Sequence, residues 1–266
     1  MVRCMWALSS TRQVAQVSAF AALIVIVTRL PGIPIAGTAG QIKLSLLLYP
    51  LAGIMLGAGP GAVAVLIGNL VSWLIPPASI LGLLLVIPGV VATATSGLLS
   101  WNEGRKWKVA AFLMLLLNLL WYATMVGREA PLYPALHWFA FLIIIIFHRK
   151  ICENIENKAR SQMLSGALLC SYVAVLADGM TGNLLFILAV GWVVPLKSAL
   201  DVVATLGMIW VRLGIPGVPL SGLSGLFMGM FVVMVFERVV ATIASALLSV
   251  AVLRIVGRYG SGQHKA

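Results

Sequence analysis

Gln13-Val14-Ala15-Gln16-Val17-Ser18-Ala19-Phe20-Ala21-Ala22-Leu23-Ile24-Val25-Ile26-Val27-Thr28-Arg29-Leu30 is the stretch whose reading decides the fold. It holds no acidic residue and a single basic one, Arg29, near its end. A run of about 15 to 20 apolar residues covers a hydrocarbon core of about 30 Å as a helix. The run continues past Arg29 into a Pro/Gly-rich segment with no small-residue cleavage site, so it reads as a retained first span and not as a signal peptide.

Seven comparable runs follow, near 44–58, 61–75, 79–99, 109–126, 132–148, 162–177 and 236–256. Composition agrees with them: 61% of the 266 residues are hydrophobic and 9% are charged. A soluble domain carries roughly 25% charged residues, so this chain could not cover a water-facing surface. Its 26 glycines and 12 prolines suit membrane helices, where neighbouring helices re-satisfy freed backbone groups. The expected fold is all-α: a polytopic transmembrane helix bundle of about eight spans, with residues 1–266 forming a single integral membrane domain. Residues 183–235 form a further apolar stretch cut by Pro195, Asp201, Arg212, Pro216 and Pro219. It is expected to be a re-entrant pair or to lie on the outer surface.

The net charge of +11 does not indicate a nucleic-acid partner, because the basic residues sit in short clusters between the apolar runs. With the N-terminus inside and the eight runs alternating, twelve of the eighteen lysines and arginines fall on the inner side. They include Arg105, Lys106 and Lys108, then Arg149, Lys150, Lys158 and Arg160. This bias predicts cytoplasmic termini and a multi-pass protein of the cell membrane. Cys4, Cys152 and Cys170 have no metal-ligand spacing, and Cys4 and Cys152 fall on the side where disulfides are not expected. The three histidines are scattered, and no nucleophile elbow, zinc helix or nucleotide loop is present. The reading is therefore of a non-enzymatic chain with neither cofactor nor metal.

Three features stand out along the chain. Ala15 and Ala19 lie four apart in the first run, with Ser18 and Ala22 on a neighbouring strip. Small residues at this spacing leave a shallow groove for another helix, either within the chain or from a partner subunit. Pro31 to Ser45 is an outer loop rich in turn formers that carries Gln41 and Lys43 close to the apolar boundary, where a polar ligand could be held. Gly59-Pro60-Gly61 predicts a sharp cytoplasmic turn with a helix restarting at Pro60, and Gly61 and Gly68 suit close helix packing.

In this order, the features resemble the membrane-embedded substrate-binding subunit (the S-component) of energy-coupling factor transporters. The resemblance is best over about residues 12–75, and Phe236-Glu237-Arg238 opening a small-rich helix is similar to that family's last span. It implies uptake of a vitamin or similar micronutrient enclosed by the outer loops. It also implies docking, through the first helix, on a transmembrane coupling subunit driven by a pair of ATPases, with Ala15 and Ala19 as docking positions. The chain departs from the pattern in its number of runs, since the family usually has six spans and this chain has eight apolar runs plus the 183–235 stretch.

Polar residues in apolar surroundings supply the remaining site candidates. Asp178, Asp201 and Glu237 are acidic groups of the outer half, with Lys197, Arg212 and Arg238 as possible partners. Asp178, with Asn183 near it across a glycine-containing turn, reads equally as a cap or as a ligand group. Asn69, Trp73, Asn118, Trp121 and Tyr122 could bond or stack on a flat ligand, although interfacial anchoring also explains tryptophan and tyrosine. The expected substrate-binding set is Gln41, Lys43, Asn69, Trp73, Asp178 and Asn183. Two other functions stay open at this point: a self-sufficient transporter or channel, and a membrane-embedded enzyme acting on lipid-linked substrates through Asp178, Asp201 or Glu237.

Overall fold

A computed structural model describes residues 10–34, 41–75, 79–101, 105–197, 199–201 and 222–262, with backbone alone for 33, 34, 41, 42 and 257–262. The apolar runs are helices. Helix α1 (Ser10–Arg29) leads through a two-strand hairpin, β1 (Ile33–Pro34) with β2 (Gln41–Ile42), into a 3-10 turn over Leu44–Leu47. There follow α2 (Leu48–Leu56), α3 (Ala58–Leu74), α4 (Ile80–Leu84), α5 (Val86–Ser100), α6 (Lys106–Ala123), α7 (Met125–Glu129), α8 (Ala135–Glu156), α9 (Arg160–Ala189) and α10 (Gly222–Gly262).

By length and composition, six segments are long and apolar enough to cross a membrane: α1, α4 with α5, α6, α8, α9 and α10. The helical segments over Leu44–Leu56 and Ala58–Leu74 are apolar but shorter. The stretch 183–235 is described only at its two ends and at 190–197 and 199–201. Residues 183–189 complete α9, and 222–235 form the first turns of α10. Arg212, Pro216 and Pro219 lie outside the described residues.

The turn between α2 and α3 falls earlier than its Gly-Pro-Gly signature suggests. Gly57, at φ 85°, reverses the chain, and α3 starts at Ala58. That backbone region is open to glycine at little steric cost. Pro60 then sits in the first turn of α3, where its missing N–H has no intrahelical acceptor to lose.

Glycine also sets how closely the helices approach. A Cβ on Gly53 of α2 would collide with Ser96 Oγ and the Thr93 carbonyl of α5, and one on Gly97 of α5 with the backbone of Ala58. A Cβ on Gly68 of α3 would come within 2.8 Å of the Ile24 Cβ of α1. Helix α9 runs between two cores and packs on α5, α8 and α10. Its Val173, Leu176 and Met180 join Trp121, Tyr133 and Ile144 on one side, while Ala174 and Val175 join Leu51, Ala52 and Val65 on the other. Cys152 and Cys170 are buried and not joined in a disulfide, and Cys4 lies outside the described residues.

Candidate substrate cavity and docking face

A cavity of about 350 Å³ opens between the 3-10 turn, α2, the start of α5, α9 and α10. Its size falls in the range of small-molecule sites, roughly 300 to 1,000 Å³. Leu46, Leu85, Pro88 and Phe186 supply apolar wall, and Lys43, Asp178, Asn183, Glu237 and Arg238 supply polar groups.

The α9 wall follows directly from helical geometry. Asp178, Gly179, Gly182, Asn183 and Phe186 recur at the spacing that makes one stripe on a helix. The expected glycine-containing turn between Asp178 and Asn183 is not formed, because α9 continues unbroken to Ala189 and neither residue caps an end. The two glycines keep the wall low. A Cβ on Gly179 would come within 3.0 Å of the Arg238 Cζ, so the guanidinium of α10 lies across bare α9 backbone.

Arg238 is fixed from two sides. Its Nη1 donates to Asp178 Oδ2 at 3.2 Å and to the Val175 carbonyl at 3.2 Å, and its Nη2 stands 3.9 Å from Glu237 Oε1. A charge at this depth is costly unless paired, and the arrangement meets that cost with a carboxylate and a carbonyl. Glu237 and Arg238 do not open a helix as expected but lie within α10, which begins at Gly222, and both line the cavity. Asn183 Nδ2 donates to the Tyr133 hydroxyl at 3.0 Å, which leaves the amide oxygen as an acceptor. Tyr133 lies between α7 and α8, stacked on Trp121 at 4.7 Å between ring centroids. Burial pushes its phenol up to about 12, against the opposing pull of the Arg238 charge, so it stays protonated across the physiological range.

A second, smaller chamber of about 120 Å³ adjoins the first and shares Lys43, Ser45, Tyr49 and Leu85 with it. Asn69 and Trp73 of α3 line it. The Tyr49 hydroxyl lies 3.3 Å from Ser45 Oγ and donates to Asn69 Oδ1 at 3.2 Å, while Trp73 Nε1 donates to the Ser79 carbonyl at 3.0 Å.

Of the six expected ligand residues, Lys43, Asp178 and Asn183 therefore reach the larger chamber, and Lys43, Asn69 and Trp73 the smaller. The side chain of Gln41 lies outside the described residues, although its backbone pairs with Pro34 in the hairpin. Asn118 and Trp121 are fully buried, and Trp121 belongs to the core that also holds Tyr133. The Tyr122 hydroxyl bonds the Pro131 carbonyl and Trp138 Nε1. None of these three lines either chamber. Sequence reasoning did not single out Ser45, Tyr49, Thr28, Ser72 or Phe186. For Phe186 the helical stripe with Asp178 and Gly182 was the available signal.

Toward the N-terminal part of α1, Ala15, Ser18, Ala19 and Ala22 are all exposed. Its inward face is instead Ala21 and Ile24, set against α3. The small-residue groove is thus not filled by any described helix of this chain.

Residues 8–146 match the sequence profile of a family described as the S component of ECF-type riboflavin transporters. An uncharacterized protein of Methanocaldococcus jannaschii is 36% identical over 139 residues, which is 52% of this chain and 46% of that protein. The chain thus spans about half the length of the curated relative it matches. No solved structure matches it.

Proposed function

Because the chain belongs to the family of ECF-type riboflavin transporter S components, a family of transporters and not of enzymes, we propose that it is the membrane-embedded subunit that captures a flavin-like vitamin for ATP-driven uptake. The observation that carries this reading is the cavity of about 350 Å³ walled by Phe186, Leu46 and Leu85 on one hand and Asp178, Asn183 and Arg238 on the other. A flavin ring has one apolar edge and one edge of alternating hydrogen-bond donors and acceptors. The free amide oxygen of Asn183 and the carboxylate of Asp178 suit its N–H, and Arg238 or Lys43 suits its carbonyls. The four charged groups of the wall balance, Lys43 and Arg238 against Asp178 and Glu237, which favours an uncharged solute over an anion.

In this reading both termini are cytoplasmic, and the basic ends of α6, α8 and α9 mark the inner face of the cell membrane. The cavity then opens to the outside, and the hairpin that positions Lys43 borders its mouth. The exposed Ala15 and Ala19 face receives the transmembrane coupling subunit, which works with a pair of ATPases. Equilibrium titration of riboflavin into the purified chain, followed by quenching of flavin fluorescence, tests the capture step. Saturable binding at one site without any nucleotide is expected, and an absence of quenching across the titration would overturn the reading.

A further inference from the structure

Trp107 at the start of α6 and His148 near the end of α8 are stacked, with ring centroids 4.0 Å apart. With the Trp121–Tyr133 stack at the other end, this contact fixes α6 and α8 as an antiparallel pair. It also gathers their basic ends. Lys108 Nζ stands 5.9 Å from the Trp107 ring centroid, and Lys150 Nζ stands 5.9 Å from that of Phe147. Segments 103–108 and 148–160 hold seven lysines and arginines against three glutamates, Glu103, Glu153 and Glu156, so this end carries a net positive charge. Along the same helix faces the surface then turns apolar. On α6, Arg105 and Lys108 are followed at helical spacing by Phe112 and Leu116, both exposed. On α8, the exposed Leu142, Ile145 and Ile146 lead at the same spacing to Arg149. Tryptophan rings settle at the level of lipid headgroups, and Trp107 sits where charge gives way to apolar surface.

We propose that the junction of α6 and α8 is a binding site for an anionic phospholipid, with Lys108 and Lys150 on its headgroup phosphate and the flanks bearing Phe112 and Ile146 against its acyl chains. Lysines and arginines beside a spanning helix attract anionic headgroups, and their contributions accumulate over a cluster. The order along each helix, from cation to aromatic ring to apolar flank, is the order of headgroup, interface and hydrocarbon in a lipid. A soluble phosphate would use only the cations and leave the flanks uncovered. The small-residue face offered to a partner subunit lies elsewhere, on α1, which packs on α2 and α3. The bound lipid holds the α6–α8 pair at headgroup level in the leaflet on the basic side, whatever solute the cavity takes.

The test is native mass spectrometry of the purified full chain, released from detergent that contains equal amounts of phosphatidylglycerol and phosphatidylcholine. The wild type is expected to retain phosphatidylglycerol in preference by about tenfold, and Lys108→Gln with Lys150→Gln to bring the ratio within about twofold. Each single variant should give an intermediate ratio, which decides the matter even if the double variant unfolds. Arg12→Gln with Arg254→Gln removes the same charge from exposed positions of α1 and α10 and should keep the preference. Equal retention of the two lipids by the wild type would overturn the assignment. So would an equal loss in the two double variants, the mark of net charge alone, or displacement of the lipid by inorganic phosphate. A Lys108 and Lys150 double variant that keeps its lipid preference but no longer co-purifies with a coupling subunit would make the junction a protein interface instead.

Discussion

Arg238 on α10 donates to Asp178 on α9 at 3.2 Å, across a helix contact that Gly179 leaves open. The pair closes one wall of the cavity and joins two of the longest helices of the chain. The exposures of the two side chains are 12% and 15%, so the pair is shielded from screening by bulk water.

Removing one partner should therefore destabilise far more than removing both. Asp178→Leu leaves Arg238 the more distant Glu237 at 3.9 Å and costs less, whereas Arg238→Met alone leaves the buried Asp178 carboxylate without its cation, a loss of about 3 to 5 kcal/mol. The double variant Asp178→Leu with Arg238→Met should recover most of it. Thermal unfolding in detergent, followed by tryptophan fluorescence, measures the difference. Additive losses in the double variant would contradict the pairing.

The packing of α5 on α2 and on the start of α3 depends on Gly53 and Gly97, while Gly59 nearby is free. Gly53→Val and Gly97→Val place atoms into Ser96 and Ala58, and overpacking of this kind costs about 1 to 3 kcal/mol or more. Gly59→Ala meets nothing within 4 Å and should be neutral or stabilising by up to about 1 kcal/mol, since alanine is the better helix former. The monodisperse fraction in size-exclusion chromatography should collapse for the first two variants and persist for the third.

Asn183 is held by Tyr133, so loss of the phenol hydroxyl should act on the ligand through the amide. Tyr133→Phe removes one hydrogen bond worth about 0.5 to 1.5 kcal/mol. Riboflavin affinity is expected to fall between about twofold and tenfold, with the Trp121 stack kept. A titration with unchanged affinity would separate Tyr133 from the site.

The fold was legible in the sequence wherever hydrophobicity alone decides structure. All eight apolar runs are helical, since helix formation satisfies the backbone polar groups of a long apolar run without water. Helix ends were less legible. The break after α2 falls at Gly57 and not at Gly59-Pro60, because a proline in the first turn of a helix does not mark its start. Likewise α9 passes through Gly179 and Gly182, where neighbouring helices supply the support that a soluble helix would lack. The cavity was partly legible: Lys43, Asp178 and Asn183 stood out as polar groups at an apolar boundary. Thr28, Ser45 and Ser72 did not, because small hydroxyls are common in membrane helices and bond their own backbone. Their convergence on one chamber is a tertiary fact.

The small-residue face of α1 predicts a separation of binding from transport. Ala15→Trp with Ala19→Trp alters only exposed positions, so the purified chain should keep its unfolding midpoint and its affinity for riboflavin. The same variant should lose most of its uptake when expressed with a coupling module, because two indoles fill a groove that small residues keep open. Retained uptake would remove this face from the docking surface.

The most direct test of the account is uptake of labelled riboflavin by cells lacking their own flavin transport, expressing this chain with and without a coupling subunit and its two ATPases. Accumulation that requires both the chain and the ATP-driven module is the predicted result. Accumulation by the chain alone, unaffected by loss of the module, would contradict the account and mark a self-sufficient transporter.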